Sequence, residues 1–174
     1  GGESLPEDAT LAITATTSFT GPTATGTGDA TLSFAGGGTG CTFSSVAFVA
    51  YNAAPPCPGG REFPHGLVAF TVRGCTQGAA LQMTFTAPQP LSLATEYWKY
   101  GPVPPRGSEE WYEVDAAAAD ANITFTIADG AQGDDDLTAD GDVTDAGGPA
   151  LTAQESEPIP AIGTTGMLVL AMLL

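Results

Sequence analysis

Apolar residues in this chain come in short runs, cut every few positions by Gly, Pro, Thr or Ser. Runs of that length suit strands, and the residues between them suit turns. The abundance of 23 Gly and 14 Pro points the same way. Strand-like segments follow closely from Asp29 onward: Ala30 to Phe34, Thr42 to Tyr51, Gly66 to Arg73, Ala80 to Thr86, Leu91 to Tyr100, Glu110 to Val114 and Asn122 to Ala128. Seven short strands joined by turn chemistry predict an all-β protein, an antiparallel β-sandwich of jelly-roll-like character. Only Asp115 to Asp120, with its four consecutive alanines, hints at one turn of helix.

Both ends of the chain read differently. In Ala9 to Phe19, period-two alternation places Leu11, Ile13, Ala15 and Phe19 on one side of an extra N-terminal strand. Gly21 to Gly28 then reads as a flexible Gly/Thr linker rather than a tight hairpin turn. Asp129 to Pro149 carries seven Asp and five Gly, which predicts a surface loop or sheet edge rather than core. Ala150 to Pro158 reads as an acidic linker, and Gly166 to Leu174 is an unbroken hydrophobic tail. That tail is shorter than the roughly 20 residues needed to cross a bilayer. It suits the remnant of a membrane segment or a peptide packed on protein. The predicted organisation is residues 1–28 as strand and linker, 29–150 as the sandwich, and 151–174 as linker and tail.

Twenty carboxylates face only Arg61, Arg73, Lys99 and Arg106, for a net charge of −16. Such a surface repels a phosphate backbone and excludes nucleic acid as a partner. The chain starts at Gly1 and not at Met, as expected of an exported product whose signal peptide has been removed. Cys41 and Cys75 each stand beside a strand-like segment, and their pairing as a disulfide is the preferred reading, with Cys57–Cys75 the rival. A zinc site is disfavoured by wide cysteine spacing and the lone His65.

Chemistry-bearing patterns are few. His65 would have to anchor any Ser-His-Asp or Cys57-His65 arrangement, and it reads as a loop histidine near the surface. Glu109, Glu110, Glu113 and Asp115 lie near Trp98, Tyr100, Trp111 and Tyr112 in sequence. Two readings stand there: packing within a sandwich, or a carbohydrate-stacking platform built on Trp98 and Trp111. Asp134, Asp136, Asp140, Asp142 and Asp145 partly imitate an oxygen-rich Ca²⁺ loop. The EF-hand register fails, since Ala139 takes the glycine position and no Glu closes the loop. The alternative is a solvated turn capped by its own Asp side chains.

The ordered strings Gly66-Leu-Val-Ala-Phe-Thr-Val-Arg-Gly-Cys75, Tyr97-Trp-Lys-Tyr-Gly-Pro102, Ile123-Thr-Phe-Thr-Ile-Ala-Asp-Gly130, Gly133-Asp-Asp-Asp-Leu-Thr-Ala-Asp-Gly141 and Asp145-Ala-Gly-Gly-Pro149 resemble the choice-of-anchor U domain of bacterial surface proteins. Ile159-Pro-Ala-Ile-Gly-Thr-Thr-Gly-Met-Leu-Val-Leu170 resembles the IPTL-CTERM sorting signal, departing from it at Ala161 and Ile162. The resemblance implies export, display at the bacterial cell envelope through the C-terminal tail, and no catalytic residues. The expected function is a non-catalytic surface protein, and the apolar face of its N-terminal strand together with its hydrophobic tail points to self-assembly into a filament by strand exchange. Leu11, Ile13, Ala15, Phe19, Met167, Leu168 and Leu170 would be its subunit contacts. A carbohydrate- or calcium-dependent adhesion module is the alternative.

Overall fold

Inward-facing side chains of two antiparallel sheets meet in one core, as the alternating pattern predicts. The computed structural model describes residues 16–52, 55–105 and 107–152. The eleven strands are β1 (Ser18–Pro22), β2 (Asp29–Gly36), β3 (Thr42–Val49), β4 (Arg61–Glu62), β5 (Leu67–Arg73), β6 (Ala80–Thr86), β7 (Glu96–Val103), β8 (Ser108–Val114), β9 (Ala116–Ala119), β10 (Asn122–Ala128) and β11 (Val143–Thr152). One sheet has the order β1-β2-β6-β10-β9. The other runs β3-β5-β11-β7-β8, with β4 paired to β11. The protein is thus an all-β sandwich.

Period-two alternation explains which side chains fill it. Leu32 and Phe34 of β2, Leu81, Met83 and Phe85 of β6, and Ile123, Phe125 and Ile127 of β10 face Phe43, Val68, Phe70, Val72, Tyr97 and Val143 of the second sheet. Aromatic pairs link the layers: Tyr97 stacks on Phe125 at 3.9 Å between centroids. Phe34 meets Phe43 edge to face at 4.9 Å.

Four expectations are corrected. Residues 21–28 are not a flexible linker, because β1 pairs with β2 from Ser18↔Ser33 to Pro22↔Asp29. The connecting turn is closed by Thr23 N donating to Gly28 O at 2.9 Å and Thr27 N donating to Thr23 Oγ1 at 3.0 Å. Four alanines expected to hint at helix form β9 instead, hydrogen-bonded to β10 at the sheet edge, where Ala116 and Ala118 pack on the core. Sheet pairing outweighs their helix propensity. The strand expected from Leu91 begins only at Glu96, and Leu93 is exposed in the preceding loop.

The largest correction concerns Asp129 to Pro149. Its second half is β11, which lies at the centre of its sheet between β5 and β7 and continues through Ala150 to Thr152. Leu11, Ile13, Ala15, Met167, Leu168 and Leu170 lie outside the described residues, so of the expected subunit contacts only Phe19 can be placed. It is a partly exposed residue of edge strand β1, with its ring 6.0 Å from that of Phe48.

Cys41 is bonded to Cys75. The two flank the register pair Thr42↔Arg73, so the bond staples the start of β3 to the end of β5 within one sheet. With a sequence separation of 34, it restricts the unfolded chain and contributes about 3–4 kcal/mol. The variant Cys41→Ser/Cys75→Ser is expected to lose roughly that amount of unfolding free energy in urea titration. An unchanged midpoint would show that the bond is not the staple described.

Candidate functional site

A single lysine decides the character of the interior. On β7, Tyr97, Lys99 and Gly101 face inward while Trp98 and Tyr100 face outward, so strand alternation itself drives Lys99 between the sheets. Its side chain is 1% exposed and Nζ lies 2.5 Å from Oδ1 of Asp145, whose side chain is 0% exposed. Nζ also donates to Gly133 O at 2.6 Å and to Asp135 Oδ1 at 3.1 Å. Tyr112, opposite Lys99 on β8, places its ring centroid 5.7 Å from Nζ.

Two glycines make room for the cluster. A Cβ on Gly101 would stand 2.6 Å from Asp135 Oδ1 and 3.3 Å from Lys99 Cε. A Cβ on Gly147, the register partner of Lys99, would stand 2.8 Å from the Tyr97 ring and 3.0 Å from Lys99 Cβ.

Burial dominates the electrostatics. It pushes the Asp145 carboxyl up to about 6, against the opposing pull of Lys99. Burial lowers the Lys99 pKa, yet the Asp145 and Asp135 carboxylates outweigh it and hold the ammonium well above its ordinary value. The direction we assign to the pair is a retained proton shared within the cluster, because Lys99 faces two carboxylates. Desolvation also raises Asp135, opposed by Lys99, and raises Tyr112. Tyr97 is fully buried; desolvation and then Asp145 push its hydroxyl up, and that hydroxyl has no hydrogen-bond partner among the described residues.

The remaining aspartates of the acidic segment act as clasps. Asp129 accepts from Gly78 N at 2.7 Å and Gly141 N at 2.9 Å, tying the β5–β6 turn to the acidic turn. Buried Asp134 accepts from Gly130 N at 2.9 Å and Thr144 N at 3.1 Å. Asp136 and Asp140 cap their own turns through Thr138 N and Asp142 N. Half-buried Asp142 stands 3.4 Å from Arg73. The five residues read as a calcium set are thus spent on backbone amides and on cations. Among the described residues no three His, Cys, Asp or Glu side chains are grouped to hold a metal ion.

Trp98 and Trp111 do not form a stacking platform either. They belong to a second apolar cluster with Cys57, Phe63 and Ala150, roofed by the segment around Tyr51. Trp98 donates to Glu96 at 2.6 Å and lies under the Arg61 guanidinium at 4.4 Å, while Trp111 donates to Pro55 O at 2.8 Å. Arg61 also pairs with Glu96 at 2.9 Å.

His65 is buried rather than near the surface, with Nδ1 2.9 Å from Thr27 Oγ1, so it braces the β1–β2 turn. Burial lowers its pKa. It lines an apolar hollow of about 230 Å³ with Pro90, Leu91, Pro149 and Leu151. Typical ligand pockets are larger, about 300–1,000 Å³. Cys57 is a free, buried thiol whose pKa burial pushes up to about 11. That is the opposite of an activated nucleophile. Missed by the sequence reading were Lys99 and the clasp role of Asp129; the position of the only lysine among aromatic residues of a strand was the available signal.

No family model, no curated protein and no solved structure matches this chain.

Removing one member of a buried ion pair strands the other charge, at about 3–5 kcal/mol. Lys99→Met is therefore expected to cost about that much, and Lys99→Met/Asp145→Leu distinctly less, in chemical denaturation. Additive losses would show that the two groups do not interact. The Cys57 thiol is expected to resist a thiol-specific reagent at pH 8 in the folded protein and to react fully once unfolded. Rapid labelling of the native state would contradict the burial described.

Proposed function

We propose that this chain is a non-catalytic structural protein displayed on the outside of a bacterial cell, a building block that joins copies of itself through its terminal segments. One observation carries the reading. Among the described residues, Lys99 is held by Asp145 and Asp135, Asp129 and Asp134 by backbone amides and His65 by Thr27, while Cys57 is a protonated thiol. A disulfide within a strongly acidic sandwich favours an oxidising, extracellular setting. The resemblance to choice-of-anchor U domains and to the IPTL-CTERM signal favours the cell envelope as its place of display.

Assembly is supported by the sheet edges. β1 is an edge strand with a half-exposed Phe19, and the alternation of Leu11, Ile13 and Ala15 precedes it in sequence. An extended segment of that pattern can add to an open edge of a neighbour, where main-chain hydrogen bonds give affinity and alternate side chains give register. Because β1 belongs to the sandwich, deletion of residues 1–15 is the clean test. The shortened protein is expected to stay folded and run as a monomer, while the full chain forms assemblies visible by negative-stain microscopy. Assembly by the shortened chain, or a monomeric full chain at high concentration, would overturn strand exchange.

A further inference from the structure

Lys99 and Asp145 occupy neighbouring strands, and both side chains are shut away from solvent. Their contact is too close and too poorly aligned for an ordinary salt bridge. Nζ is 2.5 Å from Oδ1, yet neither Asp145 oxygen has a hydrogen-bond partner among the described residues. A buried carboxylate normally collects several donors, as Asp129 and Asp134 do here. Gly133 O and Asp135 Oδ1 each accept from the ammonium as well. The amine is thus held against the carboxyl group with a second carboxylate in reach of its protons.

We propose that Lys99 and Asp145 condense into an intramolecular isopeptide bond joining β7 to β11, with Asp135 as the proton carrier. In this reaction Asp135 takes a proton from the Lys99 ammonium and delivers it to the Asp145 carboxylate, leaving an amine beside a neutral carboxylic acid. The Nζ lone pair adds to Cγ of Asp145, forming the N–C bond. A second proton passes from Nζ through Asp135 to the Asp145 hydroxyl, the C–O bond breaks, and water leaves. One ammonium and one carboxylate become one secondary amide and one water, and Asp135 returns to its starting state. No oxidant, metal or activated donor is required.

Three physical features favour the step. The ion pair and the neutral pair contain the same number of protons, and a low-dielectric interior narrows the gap between them. Burial raises Asp145 toward the protonated form that an amine can attack. Fixing both groups on paired strands replaces an encounter in solution, a gain that reaches effective molarities of about 10⁵–10⁸ M in well-oriented systems. The product also removes two buried charges from the interior. The Gly101 and Gly147 positions, where any side chain would press on Asp135 or Lys99, keep the approach open. This inference does not depend on filament assembly.

The test is the mass of the folded, purified full chain after reduction and denaturation. It is expected to be one water lighter than its sequence, and a protease digest should contain a branched peptide joining the segments that carry Lys99 and Asp145. Lys99→Arg, which keeps the positive charge, is expected to show the full mass. Asp145→Asn is expected to lose ammonia in place of water. Asp135→Asn is expected to slow the reaction on the order of 100-fold or more, so that uncross-linked chain accumulates. Full mass in the wild-type protein, with Lys99 recovered in a linear peptide, overturns the proposal. So does a one-water deficit that survives in Lys99→Arg, because dehydration at Asp129-Gly130 or Asp140-Gly141 would then account for it. A branch at Asp135 would overturn the assignment of Asp145.

Discussion

The contact between Lys99 and Asp145 is the constraint around which this sandwich is arranged. A charge placed between two sheets is tolerated only when it is paired and its remaining valences are satisfied. Here the only lysine projects inward from β7, and the central strand β11 brings the carboxyl group to it. The acidic turn before β11 then folds over the same end of the molecule, supplying Gly133 O and Asp135. Close packing of β7 on β11 depends on Gly147, and the approach of Asp135 depends on Gly101.

The acidic segment is a set of clasps more than a charged surface. Asp129 holds three backbone amides and Asp134 two, a use of carboxylates that is stabilising when donors are fixed in place. Half of the four cations are also drawn into packing: Lys99 within the core, and Arg61 over Trp98 with Glu96 beneath it. The many carboxylates left over give the chain its strongly negative charge, which disfavours recognition of polyanions.

The fold class was legible because inward positions alternate cleanly. β6 and β10 match their expected bounds, since both carry apolar residues at every second position between turn residues. β11 was not legible. Its sequence Val-Thr-Asp-Ala-Gly-Gly-Pro-Ala-Leu-Thr has few large apolar groups, and its inward Asp145 looks like a surface residue until Lys99 is placed opposite. β9 was hidden because four alanines favour helix in isolation and become strand only by pairing with β10. The Cys41–Cys75 pair was readable from its strand-edge positions. The density of Asp134 and Asp145 suggested calcium, and what it did not reveal is that backbone donors and one lysine face these two carboxylates.

Native-state amide hydrogen exchange, followed residue by residue in the presence of a chelator, tests the clasp account most directly. The amides of Gly78, Gly130, Gly141 and Thr144, each bonded to a carboxylate of Asp129 or Asp134, are expected to exchange as slowly as the core of β6 and to be indifferent to added Ca²⁺. Fast exchange at these four positions, or protection that arises only when Ca²⁺ is supplied, would contradict it.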